Sequence, residues 1–199
     1  MDIYEVTTDY VEYLRKFEPE KILKNRDDKF GRKFVGIIVQ KDKYKYVVPL
    51  SSPKYLKDYK IKGYSGKVLP DDFSFISYAD RIEMLKTTSV PVVYMNNIGK
   101  DGKIDVLGKI QCNNMIPVPD SEIKKVDLDG MEDVSYKTLM QKQIQFIRKN
   151  ADEIIKKHIN PVYVNRKKNR TEIGYIKNAT PDFSLLENKC EEYQKRRYK

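Results

Sequence analysis

The sequence predicts an α+β protein, a sheet built from antiparallel neighbours and covered by helices. Three observations carry this. The apolar runs "KFVGIIVQ" and "YKYVVPLSS" flank a short polar break, "KDK", which is the pattern of a hairpin. "SVPVVYM" and "GKIDVLGKIQCNNMIPVP" supply two or three more strands, joined by the turn "NNIGKDGK" rather than by helices. The segment from Ser135 to His158 repeats its apolar residues at helical spacing.

Taken in order, "IYEV" reads as a short strand. "TTDYVEYLRKF" reads as a helix capped by Thr8 or Asp9, with Tyr10, Leu14 and Phe17 on one face. "EPEKILKNRDDKFGR" is polar and is expected as a surface loop. The near-continuous hydrophobicity of "FVGIIV" predicts a central strand covered on both faces. Pro49 breaks a ladder, so the second strand of the hairpin is expected to end there. "SPKYLKDY" suits a short helix, and "KIKGYSGKVLPDDFSF" a loop. On the long helix Ser135 is the expected N-cap. Met140, Ile144, Ile147, Ala151, Ile154, Ile155 and His158 form the stripe that covers the sheet. His158 is expected at its C-terminal end, where the dipole favours a cation. "INPVYVNRKKNRTEIGYIKN" is basic and only lightly patterned, a solvated loop or a phosphate contact through Arg166, Lys167 and Lys168. Thr180 as N-cap and Pro181 at the first helical position open a last helix. No repeat or low-complexity segment interrupts the chain, and residues 1–199 are expected to form one domain.

The composition narrows the partners. Thirty-nine Lys and Arg against 29 Asp and Glu give a net charge of +10. Such an excess suits phosphate backbones, although a lysine-rich surface without that role has the same count. Fifteen tyrosines and seven phenylalanines lie among the cations. Aromatics beside cations stack on unpaired bases, which favours single-stranded RNA over duplex DNA. The opening "MDIYEVTTDY" lacks a basic and apolar leader, and no run is long and apolar enough to span a bilayer. A cytoplasmic protein is expected, with no membrane partner. Cys112 and Cys190 lack metal-ligand spacing and are expected as free thiols. The single histidine, His158, cannot act as both general acid and general base. Zinc clusters, a P-loop and a dinucleotide fingerprint are all missing from the sequence, so no cofactor is expected.

The most informative stretch is "VPLSSPKYL". The residue before a proline avoids the α region, so Ser52 is extended and caps a helix beginning at Pro53. The amides of that helix start, the hydroxyls of Ser51 and Ser52 and the cation of Lys54 together suit an anion. Lysine in the first turn opposes the helix dipole, and a residue placed against local preference invites a functional reason. Ordinary punctuation between a strand and a helix accounts for the same residues.

"FVGIIVQKDKYKYVVPLSSPK" resembles the signature hairpin of the ToxN/AbiQ ribonucleases of type III toxin–antitoxin systems. "YKTLMQKQIQFIRKNADEI" is similar to that family's long helix and "DFSLLENKCEEY" to its C-terminal segment, with Cys190 where an aromatic is usual. "MIPVP" after "CNN" also fits, and the matches run in order from Ile3 to about Tyr193. The resemblance implies a twisted antiparallel sheet flanked by helices, within one compact domain. It implies a metal-independent endoribonuclease that leaves a 2′,3′-cyclic phosphate and a 5′-hydroxyl. Its partner is a repeat RNA, folded as pseudoknots, which the toxin cuts from a precursor. That RNA inhibits the toxin in closed protein–RNA hetero-oligomers until phage infection or plasmid loss. On this resemblance Ser52, Lys54 and Ser51 are the expected catalytic residues. A basic residue is expected before the first signature strand, here Arg32 or Lys33. Tyr136 and Gln143 are candidates to reach RNA, or pack at the helix margin. Asp27-Asp28-Lys29-Phe30 stands where some relatives carry an aromatic hydroxyl, a departure from the pattern. A non-catalytic basic RNA-binding module is the competing expectation.

Overall fold

A computed structural model describes residues 1–24, 34–52, 54, 57, 59–62, 64–66, 82–85, 88–98, 100 and 104–197. Residues 25–33 of the expected loop, most of the short helix expected after Ser52 and all of 67–81 lie outside the described residues.

The sheet is antiparallel throughout, as the sequence predicts. Its strands are β1 (Ile3–Val6), β2 (Phe34–Lys41), β3 (Tyr44–Ser51), β4 (Tyr59–Ile61), β5 (Ile82–Leu85), β6 (Val92–Ile98), β7 (Ile104–Gln111), β8 (Ile116–Val118) and β9 (Ile123–Lys125). The main order is β6-β7-β3-β2-β1-β9, with β8 also against β3, while β4 and β5 pair apart. Tyr59–Ile61 is thus a strand where a helix-to-loop passage was expected, and β5 and β9 carry too few residues to signal themselves.

The β2–β3 hairpin turns on Asp42 and Lys43, Asp42 taking the left-handed φ of 50° that a tight hairpin requires. Alternation on β3 sends Val47 to one core, with Tyr10, Leu14, Ile116 and Leu186, and Tyr46 and Val48 to the other, with Leu107, Ile110, Ile147 and Phe183. β2 divides likewise, Ile38 to the first and Ile37 and Val39 to the second. Each such side chain contributes about 1.5–3 kcal/mol by leaving water, which is why these two strands read as continuous apolar runs. Gly36 faces Val48 closely enough that a Cβ would lie 2.3 Å from the Val48 carbonyl oxygen. Pro49 does not end the strand. β3 runs on to Ser51, and Pro49 falls where its far edge changes partner, from β8 at Val47 to β7 at Leu50. A missing amide is tolerated in that gap.

Helix α1 (Thr8–Arg15) buries Tyr10, Val11, Tyr13 and Leu14. Its N-cap position is Thr7, not Thr8 or Asp9, and the Thr7 hydroxyl donates instead to the buried Glu122 carboxylate. Helix α2 (Val134–Lys149) is capped by Asp133, whose carboxylate accepts from the Tyr136 amide at 2.9 Å, so the expected Ser135 lies inside the first turn. The helical run does not stop at His158. After an irregular Asn150 it passes through one α-turn (Ala151–Glu153) and a π-helix (Ile154–Ile159) into α3 (Asn160–Lys167). The wide π-turn brings Ile154 and Ile159, five apart, onto the buried side, and His158 is only half-buried. Pro161 sits in the first turn of α3, where its missing amide costs nothing. The lightly patterned basic region is therefore α3 and α4 (Gly174–Ala179), not a loop. Helix α5 (Phe183–Arg197) starts after Asp182, whose carboxylate caps Leu185 at 3.1 Å. The expected cap, Thr180, is fully buried and donates to the Tyr175 carbonyl.

α5 anchors the hairpin through Glu187, which is 4% exposed. Its carboxylate accepts from the Tyr46 hydroxyl at 2.8 Å and holds the Lys167 ammonium at 2.6 Å. The Tyr163 hydroxyl lies 3.0 Å from the same carboxylate and 2.7 Å from that of Asp42. Burial first, then the neighbouring carboxylates, push both phenols far above their usual range, so they remain donors. Glu187→Ala is expected to cost about 3 kcal/mol, because the buried Tyr46 hydroxyl and the Lys167 ammonium lose their partner while Tyr163 keeps only Asp42. Urea unfolding measures this; a loss near zero would show that the network adds nothing to stability.

Candidate active site

The candidate residues meet where β3 leaves the sheet. Its last two residues pair with β7, Leu50 with Ile110 and Ser51 with Lys109. β7 is irregular at that level: opposite β6, Met95 pairs with Gly108 and Asn96 with Val106, so Leu107 is skipped as a bulge. Gly108 has φ of +117°, and a Cβ there would lie 2.4 Å from the Ser51 carbonyl oxygen and 3.3 Å from Gln143 Nε2. Only glycine allows this backbone conformation and this approach. The skipped Leu107 turns its carbonyl to α2, where Gln143 Nε2 donates to it at 2.6 Å. Gln143 is 5% exposed and belongs to the buried stripe, which the expected apolar stripe omitted.

Between the end of β3 and α2 lies a groove of about 310 Å³. Its polar lining includes Ser51, Ser52, Lys54, Gln111 and Gln143. Leu50, Leu139 and Met140 form an apolar wall, and Tyr136 stands at the rim, 43% exposed. Ser52 and Lys54 are exposed, and the Lys54 carbonyl accepts from the Lys57 amide at 2.9 Å, turning the chain after the corner. The Ser51 hydroxyl is sealed and lacks a hydrogen-bond partner. The fold thus gathers five residues chosen from the sequence, Ser51, Ser52, Lys54, Tyr136 and Gln143, from two segments about 85 residues apart in the chain.

The other candidates are elsewhere. Arg32 and Lys33 lie outside the described residues, as does the segment Asp27 to Phe30. Arg166 is turned inward: its guanidinium donates to the Pro181 carbonyl at 2.9 Å and pairs with Asp182 at 3.2 Å. Lys167 is held by Glu187, and Lys168 is exposed at the end of α3. None of these three, nor His158, lines the groove. A larger cleft, about 700 Å³, opens on another side of α2, where Arg148 and Lys125 are paired with Asp2, and it contains no candidate residue. Among the described residues no group of three or more His, Cys, Asp or Glu is placed to hold a metal. No helix among them is long and apolar enough to cross a membrane. Both thiols are free and buried. Burial pushes the Cys112 thiol up to about 12, which keeps it protonated and unreactive at neutral pH. The bulge and Gln111 were not singled out from sequence. The glycine inside the alternating run "DVLGKI" is the signal that marks such a bulge.

A chemically coherent groove, with the Ser52 hydroxyl and a cation at one end and an apolar wall with an aromatic rim at the other, suits a phosphodiester flanked by unstacked bases. Residues 2–191 match the family model of toxin ToxN of type III toxin–antitoxin systems. The chain is 29% identical over 196 residues to the endoribonuclease ToxN of Bacillus thuringiensis subsp. kurstaki, covering 96% of this chain and 83% of that protein. It is 31% identical to the endoribonuclease AbiQ of Lactococcus lactis subsp. lactis, covering 97% and 89%. A solved structure described for selective toxin inhibition by a non-coding RNA pseudoknot superposes with a TM-score of 0.65 at 26% identity, covering 97% of each chain.

Proposed function

We propose, from the premise that this chain belongs to the ToxN family of type III toxin–antitoxin toxins, a mechanism for its groove. The protein is an endoribonuclease toxin whose partner is an inhibitory antitoxin RNA pseudoknot, in an antiviral system. Residues 1–199 act as one catalytic domain in the cytoplasm, with the antitoxin repeats bound in closed protein–RNA assemblies.

In this reading a single strand lies along the groove with its scissile phosphate at the Ser52–Lys54 corner. The ribose 2′-oxygen attacks phosphorus, the bond to the 5′-oxygen breaks, and the 2′-proton ends on that oxygen. The products are a 2′,3′-cyclic phosphate and a 5′-hydroxyl, without need of a metal. Lys54 neutralises the extra charge of the phosphorane and Ser52 donates to a non-bridging oxygen. Ser51 shapes the corner from behind. Arg32 or Lys33 adds a second cation, and Lys168 attracts the backbone at longer range, whereas Arg166 and Lys167 are already paired with Asp182 and Glu187. The observation that carries the reading is the convergence of Ser51, Ser52 and Lys54 with Tyr136 and Gln143 in one groove.

The test is cleavage of a model RNA in EDTA. Fragments ending in cyclic phosphate and 5′-hydroxyl are expected, and Ser52→Ala is expected to lower the rate by about 10- to 100-fold. RNA that binds but stays intact would favour the non-catalytic module. A wild-type rate for Ser52→Ala would remove Ser52 from the mechanism.

A further inference from the structure

The bulge at Leu107 has a chemical consequence for the far end of the groove. A carbonyl oxygen only accepts, so the end of the Gln143 side chain that meets Leu107 is its NH2 group. The amide orientation is thereby decided, and Oε1 is the opposite end. Among the described residues no donor is set against Oε1, and unlike the Ser51 hydroxyl it is not sealed inside the protein. Gln143 lines the groove beside Leu139, Met140 and the exposed ring of Tyr136. The surfaces that would hold a planar base, an aromatic rim and an aliphatic wall, therefore converge on a single fixed acceptor.

We propose that Gln143 reads a nucleobase: its Oε1 accepts a hydrogen bond from the exocyclic amine of one base of the RNA, so that adenine, cytosine or guanine is favoured there over uracil. This rests on the endoribonuclease reading and adds a specificity-determining residue to it. Glutamine is freely ambivalent on a surface, because its amide turns to offer donor or acceptor. Here the Leu107 carbonyl removes that freedom, and the device that removes it, a glycine-supported bulge, is part of the strand that also holds Ser51. Uracil presents its one ring N–H between two carbonyl oxygens, and at least one of these faces Oε1 and repels it. A base lacking the amine leaves a buried acceptor unpaired, which is the condition under which a polar site rejects an analogue most strongly.

The experiment measures kcat/KM on RNAs in which every adenosine, guanosine or cytidine is replaced in turn by purine riboside, inosine or 2-pyrimidinone riboside. Each analogue lacks only the exocyclic amine. With the wild-type protein, at least one replacement is expected to lower kcat/KM about tenfold or more. In Gln143→Met that ratio is expected to fall to about one, while the unmodified RNA is cut more slowly. Gln143→Asn, which keeps an amide but draws it back, supplies the comparison if Gln143→Met does not fold. A wild type indifferent to all three analogues, or a variant that keeps the full ratio, overturns the proposal and leaves the ribonuclease reading standing. A wild type that cuts no RNA overturns both.

Discussion

Lys54→Met is expected to lower single-turnover RNA cleavage by about 100- to 1,000-fold and leave the melting temperature unchanged. Lys54 is exposed at the corner after β3 and lines the groove with Ser51 and Ser52. Methionine keeps a stem of similar length and removes only the charge. Its cation is proposed to meet the charge that grows on the phosphorane, with Lys24 a second lysine in the lining, and such groups act only in the transition state. The companion Lys54→Arg separates two roles. Arginine keeps the charge but does not give up a proton near neutral pH. Restored cleavage in Lys54→Arg assigns the residue to electrostatic stabilisation, and a second loss assigns it to proton transfer. Lys54→Met at the wild-type rate would sink the corner as an active site, whatever its effect on binding. Binding itself should change little, since one lost phosphate contact lowers the salt slope of single-strand affinity by only about 0.7.

Gly108→Ala is the second large effect, and it acts on fold and site together. With φ of +117° and the Ser51 carbonyl oxygen 2.4 Å from the new methyl group, the substitution meets backbone on both counts. A destabilisation of about 3 kcal/mol is expected in urea unfolding. Cleavage should fall further than the folded fraction does, because a shift of about 1 Å in Ser51 or Gln143 is worth about 100-fold in rate. Gly174→Ala is the control: a Cβ there meets nothing within 4 Å and φ is ordinary, so stability is expected to hold or rise slightly. Equal behaviour of the two variants would show that the bulge is not under steric constraint.

The strands of the hairpin were legible because burial on both faces writes itself as an unbroken apolar run. β7 and β8 were legible from their β-branched apolar residues, Val106, Ile110, Ile116 and Val118, between turn residues. β5 and β9, at four and three residues, are held by their neighbours in the sheet rather than by any pattern of their own. The helix starts depart from the expected caps in a consistent way. Thr8, Ser135 and Thr180 are good caps by type, yet Thr7, Asp133 and Asp182 hold the positions. Capping preference is worth about 1 kcal/mol, and the place where a helix docks decides among neighbouring candidates. The π-helix moved the apolar stripe from His158 to Ile159, a shift that a constant 3.6-residue period cannot express.

By itself the sequence determined the antiparallel α+β class, the doubly covered hairpin and the basic character, and it offered the Ser51–Ser52–Lys54 corner as a candidate. These follow from local chemistry: alternation, proline and serine geometry, and charge. Only the tertiary structure decided that α2 lies beside that corner, that Arg166 and Lys167 turn inward to Asp182 and Glu187, and that Gln143 lines the groove with its amide nitrogen tied to the Leu107 carbonyl. The physical reason is that each of these depends on a partner far away in the chain. A guanidinium binds phosphate or a carboxylate equally well by type, and an amide offers either of its ends. Which one is used is settled by the group that packing brings against it, here a carbonyl released by one skipped residue in β7.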